Sequence, residues 1–374
     1  MSGDTVVIGA PRETVGANDS QGAAYVLVRS GTTWTFQQRL FASDGTAGNQ
    51  FARRVAIDGE TIIINSDEFG TGSAYVFVRN GTTWTQQQKL VASDGAQLDR
   101  FGTGVDISGN TVIVGAAQDD INTNDNQGSA YVFTRSGSVW SEQEKLIASD
   151  GAQFDQFGSS VSVSGDYAVV GDAADTVGGV AAQGSVYVFV RSGSDWTEQT
   201  KLIDSEGHDS DNFGTSVDLE GDTLAIGSFR GDVGTAVFNQ GTVSVFVRHG
   251  TSWNQQARLF SADGAQGDEF GISLSLSGDD LIVGADFNNV HGTPFPGAAY
   301  LFTRSGTAWT QRSKLIPAGN SDRFGQSVAL GGQQNFCGRS GRRYRYSGKA
   351  GSGLLFSQTY RRARSTASQR QRIK

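Results

Sequence analysis

The run "DDINTND" puts oxygen side chains at regular spacing: Asp120, Asn122 and Asn124 fall at alternate positions, with Asp119 and Asp125 beside them. Alternate oxygen donors on a turning loop can converge on a hard cation such as Ca²⁺, which takes about six to eight of them. The same residue types are also the ordinary residues of turns, and the glycine that follows in an EF-type loop is missing. Asp67 and Glu68, Asp172 and Asp175, and Asp286 and Asn288 lie in comparable polar segments, as do Arg230 and Asp232. Catalytic chemistry finds less support. His208, His249 and His291 are far apart without matching partners, so no Ser/His/Asp set forms. Nothing in the sequence pairs two carboxylates for acid/base work. One Cys and three His exclude a disulfide framework and a Cys/His zinc site.

The segments that must position these residues repeat. Trp34, Trp84, Trp140, Trp196, Trp253 and Trp309 follow one another at steps of 50, 56, 56, 57 and 56 residues. Phe51, Phe101, Phe157, Phe213, Phe270 and Phe324 keep nearly the same beat. Self-similarity at a fixed period overrides any domain count taken from the length of 374 residues. In the unit from Asp94 to Ser149, "FGTGVDIS" alternates as a half-buried strand does, and "SGN" is a tight turn. "TVIVGAA" reads as a strand covered on both faces. A polar loop leads to a third strand, "SAYVFTR", then a second turn and a fourth strand, "WSEQEKLIAS". Fifty-one Gly against four Pro suit many tight turns. Four antiparallel strands per unit leave apolar faces wet unless the sheets stack, and a closed ring removes the exposed ends. The sequence predicts an all-β propeller of four-stranded antiparallel blades. Each Trp is expected to be a packing residue, and the Phe-Gly pairs a core aromatic beside a closely passing backbone.

The formal charge of −8 is unevenly placed. Residues 333–374 hold 11 of the 30 Lys and Arg and no acid, which leaves 19 bases against 38 acids in the remainder. An acidic body argues against a nucleic-acid partner. No run is long and apolar enough to be a membrane helix, so no membrane insertion is expected.

Phe-Gly followed about 14 residues later by a Gly-Ala-Pro-like triplet resembles the FG-GAP repeat, known from the propeller of integrin α subunits. Gly9-Ala10-Pro11 matches the triplet fully, and Gly115-Ala116-Ala117 and Gly284-Ala285-Asp286 match it nearly. Gly171-Asp172-Ala173 and Gly227-Ser228-Phe229 are looser. The matching motif positions are Phe101, Gly102, Gly115 and Trp140; Phe157, Gly158, Gly171 and Trp196; Phe213, Gly214, Gly227 and Trp253; Phe270, Gly271, Gly284 and Trp309; and Phe324 with Gly325. The Trp-bearing fourth strand looks more like bacterial cell-surface FG-GAP proteins. Integrin-type blades often carry a calcium loop between the first and second strands; here "SGN", "SGD" or "EGD" is too short for one. The resemblance therefore gives no calcium site there and implies no required cofactor; Ca²⁺ rests only on the spacing of Asp120, Asn122 and Asn124. Arg230-Gly231-Asp232 is the tripeptide that integrins bind.

The resemblance implies a secreted or surface-displayed, monomeric, non-catalytic binding or adhesion module. It would recognise protein or glycan through the loops joining strands two and three and those joining blades. A polysaccharide hydrolase or lyase, or an architectural segment of a large surface protein, is the alternative. The propeller is expected over residues 3–332, with repeats at about 3–43, 44–93, 94–149, 150–205, 206–262 and 263–319. Residues 320–332 supply a ring-closing strand, Phe324 to Leu330 against Thr5 to Gly9. Six blades can close this way, and a longer parent would hold seven. The basic tail, 333–374, is expected to be disordered or poorly packed. Read one nucleotide later with permitted codons, Gln333 to Phe356 allows "NKIFVGAPGDDIGTAGKQGAAYFF", which aligns without a gap on Asn110 to Phe133. The tail is thus read as a frame-shifted next blade of a longer exported protein, with a basic segment binding an anionic surface as the alternative.

Overall fold

In the computed structural model, residues 1–66, 70–234, 237–288, 297–317, 323–331, 334–338 and 354–355 are described. Every regular element among them is a β-strand. The first sheet holds β1 (Thr5–Ala10), β2 (Ala23–Ser30) and β3 (Thr33–Leu40). A four-stranded sheet follows, of β4 (Val55–Asp58), β5 (Thr61–Ser66), β6 (Ser73–Asn80) and β7 (Thr83–Leu90). The next is β8 (Phe101–Ser108), β9 (Thr111–Ala116), β10 (Ser129–Ser136) and β11 (Val139–Leu146). Then come β12 (Ser160–Ser164), β13 (Tyr167–Asp172), β14 (Ser185–Ser192) and β15 (Asp195–Leu202). β16 (Phe213–Glu220), β17 (Thr223–Ser228), β18 (Thr242–His249) and β19 (Ser252–Leu259) form another. The last complete blade is β20 (Phe270–Ser277), β21 (Asp280–Ala285), β22 (Ala298–Ser305) and β23 (Ala308–Leu315). β24 (Ser327–Gly331), β25 (Gln334–Gly338) and β26 (Leu354–Leu355) make a final three-stranded sheet. The all-β propeller of antiparallel four-stranded blades is as the sequence predicts.

Innermost strands of successive blades lie side by side, β4 on β8, β8 on β12, β12 on β16, β16 on β20 and β20 on β24. Side chains at one repeated position tie them together. Asp106 Oδ2 accepts the Val163 amide at 2.9 Å, Ser162 Oγ that of Leu219 at 3.1 Å, Asp218 Oδ2 that of Leu276 at 2.7 Å, and Ser275 Oγ that of Leu330 at 3.2 Å. Each bond gives an inner-strand N–H that its own sheet leaves unpaired a partner from the preceding blade. The second strands are almost wholly buried, because they are covered on both faces.

The repeated Phe, Gly and Trp residues act between blades. Phe101, Phe157, Phe213, Phe270 and Phe324 are fully buried, and Phe157 meets Tyr187 and Phe189 edge-on. A β-carbon on Gly115 would stand 1.9 Å from the Gly158 carbonyl oxygen; Gly171 meets Gly214, Gly227 meets Gly271 and Gly284 meets Gly325 in the same way. Gly102 lies in the same position as these Phe-Gly glycines and has a positive φ of 105°. Trp140, Trp196, Trp253 and Trp309 pack as expected and also donate their indole N–H to a glutamine of the preceding blade: Gln87, Gln143, Gln199 and Gln256 at 2.9–3.2 Å.

Ring closure differs from the expected strand pairing. β24 pairs antiparallel with β25, not with β1. It nevertheless meets the first sheet, where Ala329 packs with Met1, Val6 and Ile8 and Met1 presses on Gly331. Closure is by side-chain packing because β25 has taken the hydrogen-bonding edge that β1 would use. The expected poor packing of the tail fails at its start for the same reason. Ser327 stands opposite Gly338 in the register of Ser273 with Gly284 and Ser216 with Gly227, and Cys337 is buried. The remainder of 339–374, apart from β26, lies outside the described residues.

Candidate functional site

The loops between second and third strands share one face with the loops joining blades, and the acidic candidates among the described residues lie there or at the strand end that leads into it. Four of the joining loops close on themselves through an Asp that accepts the amide three residues before it. Asp155 Oδ2 accepts the Ala152 amide at 2.5 Å and Asp211 Oδ2 the His208 amide at 2.8 Å. The inner loops lean on these turns: Ala174 N donates to Asp155 O, and Arg230 N to Asp211 O.

Asp119 and Asp175 belong to a repeated internal ion cluster. Lys145 Nζ lies 2.8 Å from Asp119 and 2.7 Å from Asp94, and the Tyr131 hydroxyl donates to both carboxylates. Lys201 pairs likewise with Asp175 at 2.7 Å and Asp150 at 2.8 Å, and Tyr187 donates to Asp150. Tyr75, Lys89 and Asp44, and Tyr300, Lys314 and Asp263, repeat the arrangement. Burial favours raising Asp94 and Asp150, yet the lysine hydrogen bonds hold both below the usual carboxylate range. Burial also pushes the Tyr131 and Tyr187 phenols up. The clusters pin fourth strands to loops, and they remove Asp119 and Asp175 from the groups open to a ligand. The signal for them was present in the sequence, since Tyr75 and Lys89, Tyr131 and Lys145, Tyr187 and Lys201, and Tyr300 and Lys314 are each 14 residues apart.

Two of the three residues assigned to Ca²⁺, Asp120 and Asn124, are turned to hydrogen bonds within and between loops. Asp120 Oδ1 accepts the Asn126 amide at 2.7 Å. Asn124 donates to Gln127 Oε1 and to the Gly151 carbonyl, as Asn18 does to Gln21 and Gly45. Asn122 adopts a positive φ of 56° within the turn, and the Asp125 carboxylate accepts from Gln153. Asp67 and Glu68 lie outside the described residues.

Asp172 is fully buried at the end of β13, with neither carboxyl oxygen hydrogen-bonded among the described residues. Burial, with Asp155 and Asp175 adding repulsion, pushes it well above the carboxylate range. Asp286 and Asn288 are buried too, and Asn288 donates to Asp268. Burial raises Asp286, and burial with the neighbouring Asp286 carboxylate brings Glu269 to about 7. This pair is a contact between loops that sequence spacing did not reveal. In the Arg-Gly-Asp tripeptide Arg230 is exposed, Gly231 is buried, and Asp232 accepts the Asn239 amide at 2.8 Å.

Two features face outward. Phe41, Val91, Ile147, Ile203, Phe260 and Ile316 occupy the same place after each fourth strand and are 39–49% exposed. Near the start of β4, the exposed Arg53, Arg54 and Arg100 line a small cleft with Asn65 and Thr103. Sequence reasoning missed both, because it weighed the acidic loop residues first.

The propeller and its interlocked glycines define a class of repeat scaffold. The FG-GAP repeat family model matches residues 34–77, 84–133, 140–189, 196–246 and 253–302, and the chain belongs to this family. No curated protein matches the chain.

Proposed function

We propose that this propeller is a non-catalytic binding module, displayed outside the cell or at its surface, that engages protein or glycan through its loop face. The observation that carries this reading is the recurrent apolar rim, Phe41, Val91, Ile147, Ile203, Phe260 and Ile316, left in water at one position of six successive repeats. Burying such side chains against a partner is favourable by roughly 25 cal/mol per Å². The guanidinium groups of Arg53, Arg54 and Arg100 add a site for carboxylate or sulfate groups within an otherwise acidic body. Rigid strands bearing loops of different length suit presentation of a surface. The acidic body does not suit nucleic acid.

A hydrolase reading would rest on the Glu269–Asp286 pair. Glycosidase carboxyls both face the sugar bond they cleave, whereas Asp286 is buried. A glycan-array and pull-down screen beside a polysaccharide-degradation assay tests the proposal. Binding without turnover, weakened by Phe41→Ser with Phe260→Ser or by Arg53→Ser with Arg100→Ser, is expected. Turnover would overturn it, as would an absence of any bound partner.

A further inference from the structure

Four joining loops repeat one turn, an Asp accepting the amide three residues before it, and one copy is altered. Asp99, Asp155, Asp211 and Asp268 accept the amides of Ala96, Ala152, His208 and Ala265 respectively. Three of these four loops carry a methyl group at that place, and the loop of Asp211 carries the His208 imidazole. Opposite it stands Asp232, from the loop between β17 and β18. Asp120 holds the matching place two blades earlier, since each of the two accepts an amide from the far side of its own loop. Asp99 therefore also has a carboxylate neighbour in Asp120, but with Ala96 it lacks a third donor. Among the described residues, His208 alone completes the donor set at these four turns.

We propose that His208, Asp211 and Asp232 bind a divalent transition-metal ion of the Zn²⁺ class. Their ligand atoms lie within 4.8 Å of one another, and His208 Nδ1 is 3.8 Å from Asp211 Oδ2. A tetrahedral ion with bonds near 2.1 Å sets its ligand atoms roughly 3.4 Å apart. His208 is exposed, so rotation of its side chain closes the remaining gap, while the buried Asp211 is a fixed ligand. One imidazole with two carboxylates suits zinc and its neighbours. It does not suit Ca²⁺, which takes oxygen ligands in greater number. Three protein donors leave a coordination position toward solvent.

The surrounding charges agree with a cation here. The carboxylates of the buried Asp211 and the half-buried Asp232 face each other within 4.8 Å, so a positive ion relieves a repulsion built into the fold. The nearby cation, Arg258, is already engaged by Asp204, Glu206 and the Asp232 carbonyl. Asp232 Oδ1 keeps its bond to Asn239, which leaves its other oxygen for the metal. The site does not depend on what the loop face binds.

Isothermal titration of the full chain with Zn²⁺, beside Ca²⁺ and with thermal unfolding in parallel, tests the assignment. His208→Ala installs the residue that three sister loops already carry, so it should fold as the parent does. Asp232→Asn retains an oxygen for the Asn239 amide. Saturable Zn²⁺ binding is expected, with a raised unfolding temperature by mass action. His208→Ala and Asp232→Asn should each weaken it at least about tenfold, and His249→Ala should leave it unchanged. No saturable Zn²⁺ binding by the parent chain would overturn the proposal. So would undiminished binding by His208→Ala, or equal and His208-independent binding of Ca²⁺.

Discussion

Gly115 and Gly158 are two halves of one contact: the carbonyl of Gly158 occupies the space where Gly115 would carry a β-carbon, 1.9 Å away. The Gly of the Gly-Ala-Pro-like triplet in one blade is thus seated against the Gly of the Phe-Gly pair in the next. The second glycine has a positive φ of 93°, which turns its carbonyl toward the neighbouring blade. The two motifs recur together because the ring repeats that contact at four successive blade boundaries, Gly115–Gly158, Gly171–Gly214, Gly227–Gly271 and Gly284–Gly325.

Gly115→Ala should therefore be far more harmful than Gly109→Ala. The first drives a methyl group into the Gly158 backbone across a blade boundary. The second adds a methyl in open space and costs about 1 kcal/mol, for its φ of 58° alone. Urea unfolding of both variants measures the difference. Equal losses would mean that the blades can slide apart to admit a side chain.

The Trp140 indole is held by packing and by Gln87 of the preceding blade at 3.0 Å. Gln87→Ala should cost about 1 kcal/mol, the usual worth of one such bond. Trp140→Ala should cost about 3–5 kcal/mol, because it also empties a buried site. In Trp140→Phe, further removal of Gln87 should have little effect, and a double-mutant cycle by urea unfolding checks that coupling.

Strands, turns and repeat period were legible because each depends on residues adjacent in the chain. The roles of the acids were not. Asp119 and Asp175 look like open loop carboxylates in one dimension, but Lys145 and Lys201 reach them from the fourth strand of the same blade. The pairing of β24 was equally hidden, since the choice between β1 and β25 depends on which edge is free after folding. His208 was dismissed for lack of a partner nearby in sequence; Asp232 meets it only because two loops of one face are brought together.

Stability should fall as pH rises from about 5 to about 8. Asp218 is enclosed between inner strands, and burial, with Asp106 and Glu220 adding repulsion, brings it to about 7; Glu269 is also raised to about 7. A carboxyl raised in the folded state binds its proton more tightly there than in the unfolded chain. Its stabilisation is therefore complete below the unfolded value near 4 and lost as pH climbs through 7. Asp44, Asp94, Asp150 and Asp263 act oppositely: held low by lysines, they lend stability that disappears as pH drops through their folded values. Asp218→Asn keeps an oxygen for the Leu276 amide and removes the titration, so its unfolding free energy should change less between pH 5 and 8. Parallel curves for the two proteins would show that Asp218 does not titrate in that window.

Cys337 gives a direct test of the last sheet. Its side chain is buried, and burial pushes the thiol well above its usual range, so little thiolate forms at neutral pH. A maleimide or disulfide reagent should leave the native protein unlabelled for as long as the β24–β25 pair stays closed. In denaturant the same residue should react fully, as the single thiol of the chain. Ser327 faces Gly338 across that pair, so Ser327→Pro, which removes an N–H from the ladder, should open it and speed labelling while the complete blades remain folded. Rapid native labelling of the parent chain would mean that β25 does not occupy the second-strand position, and that the edge of β24 is free to take β1 instead.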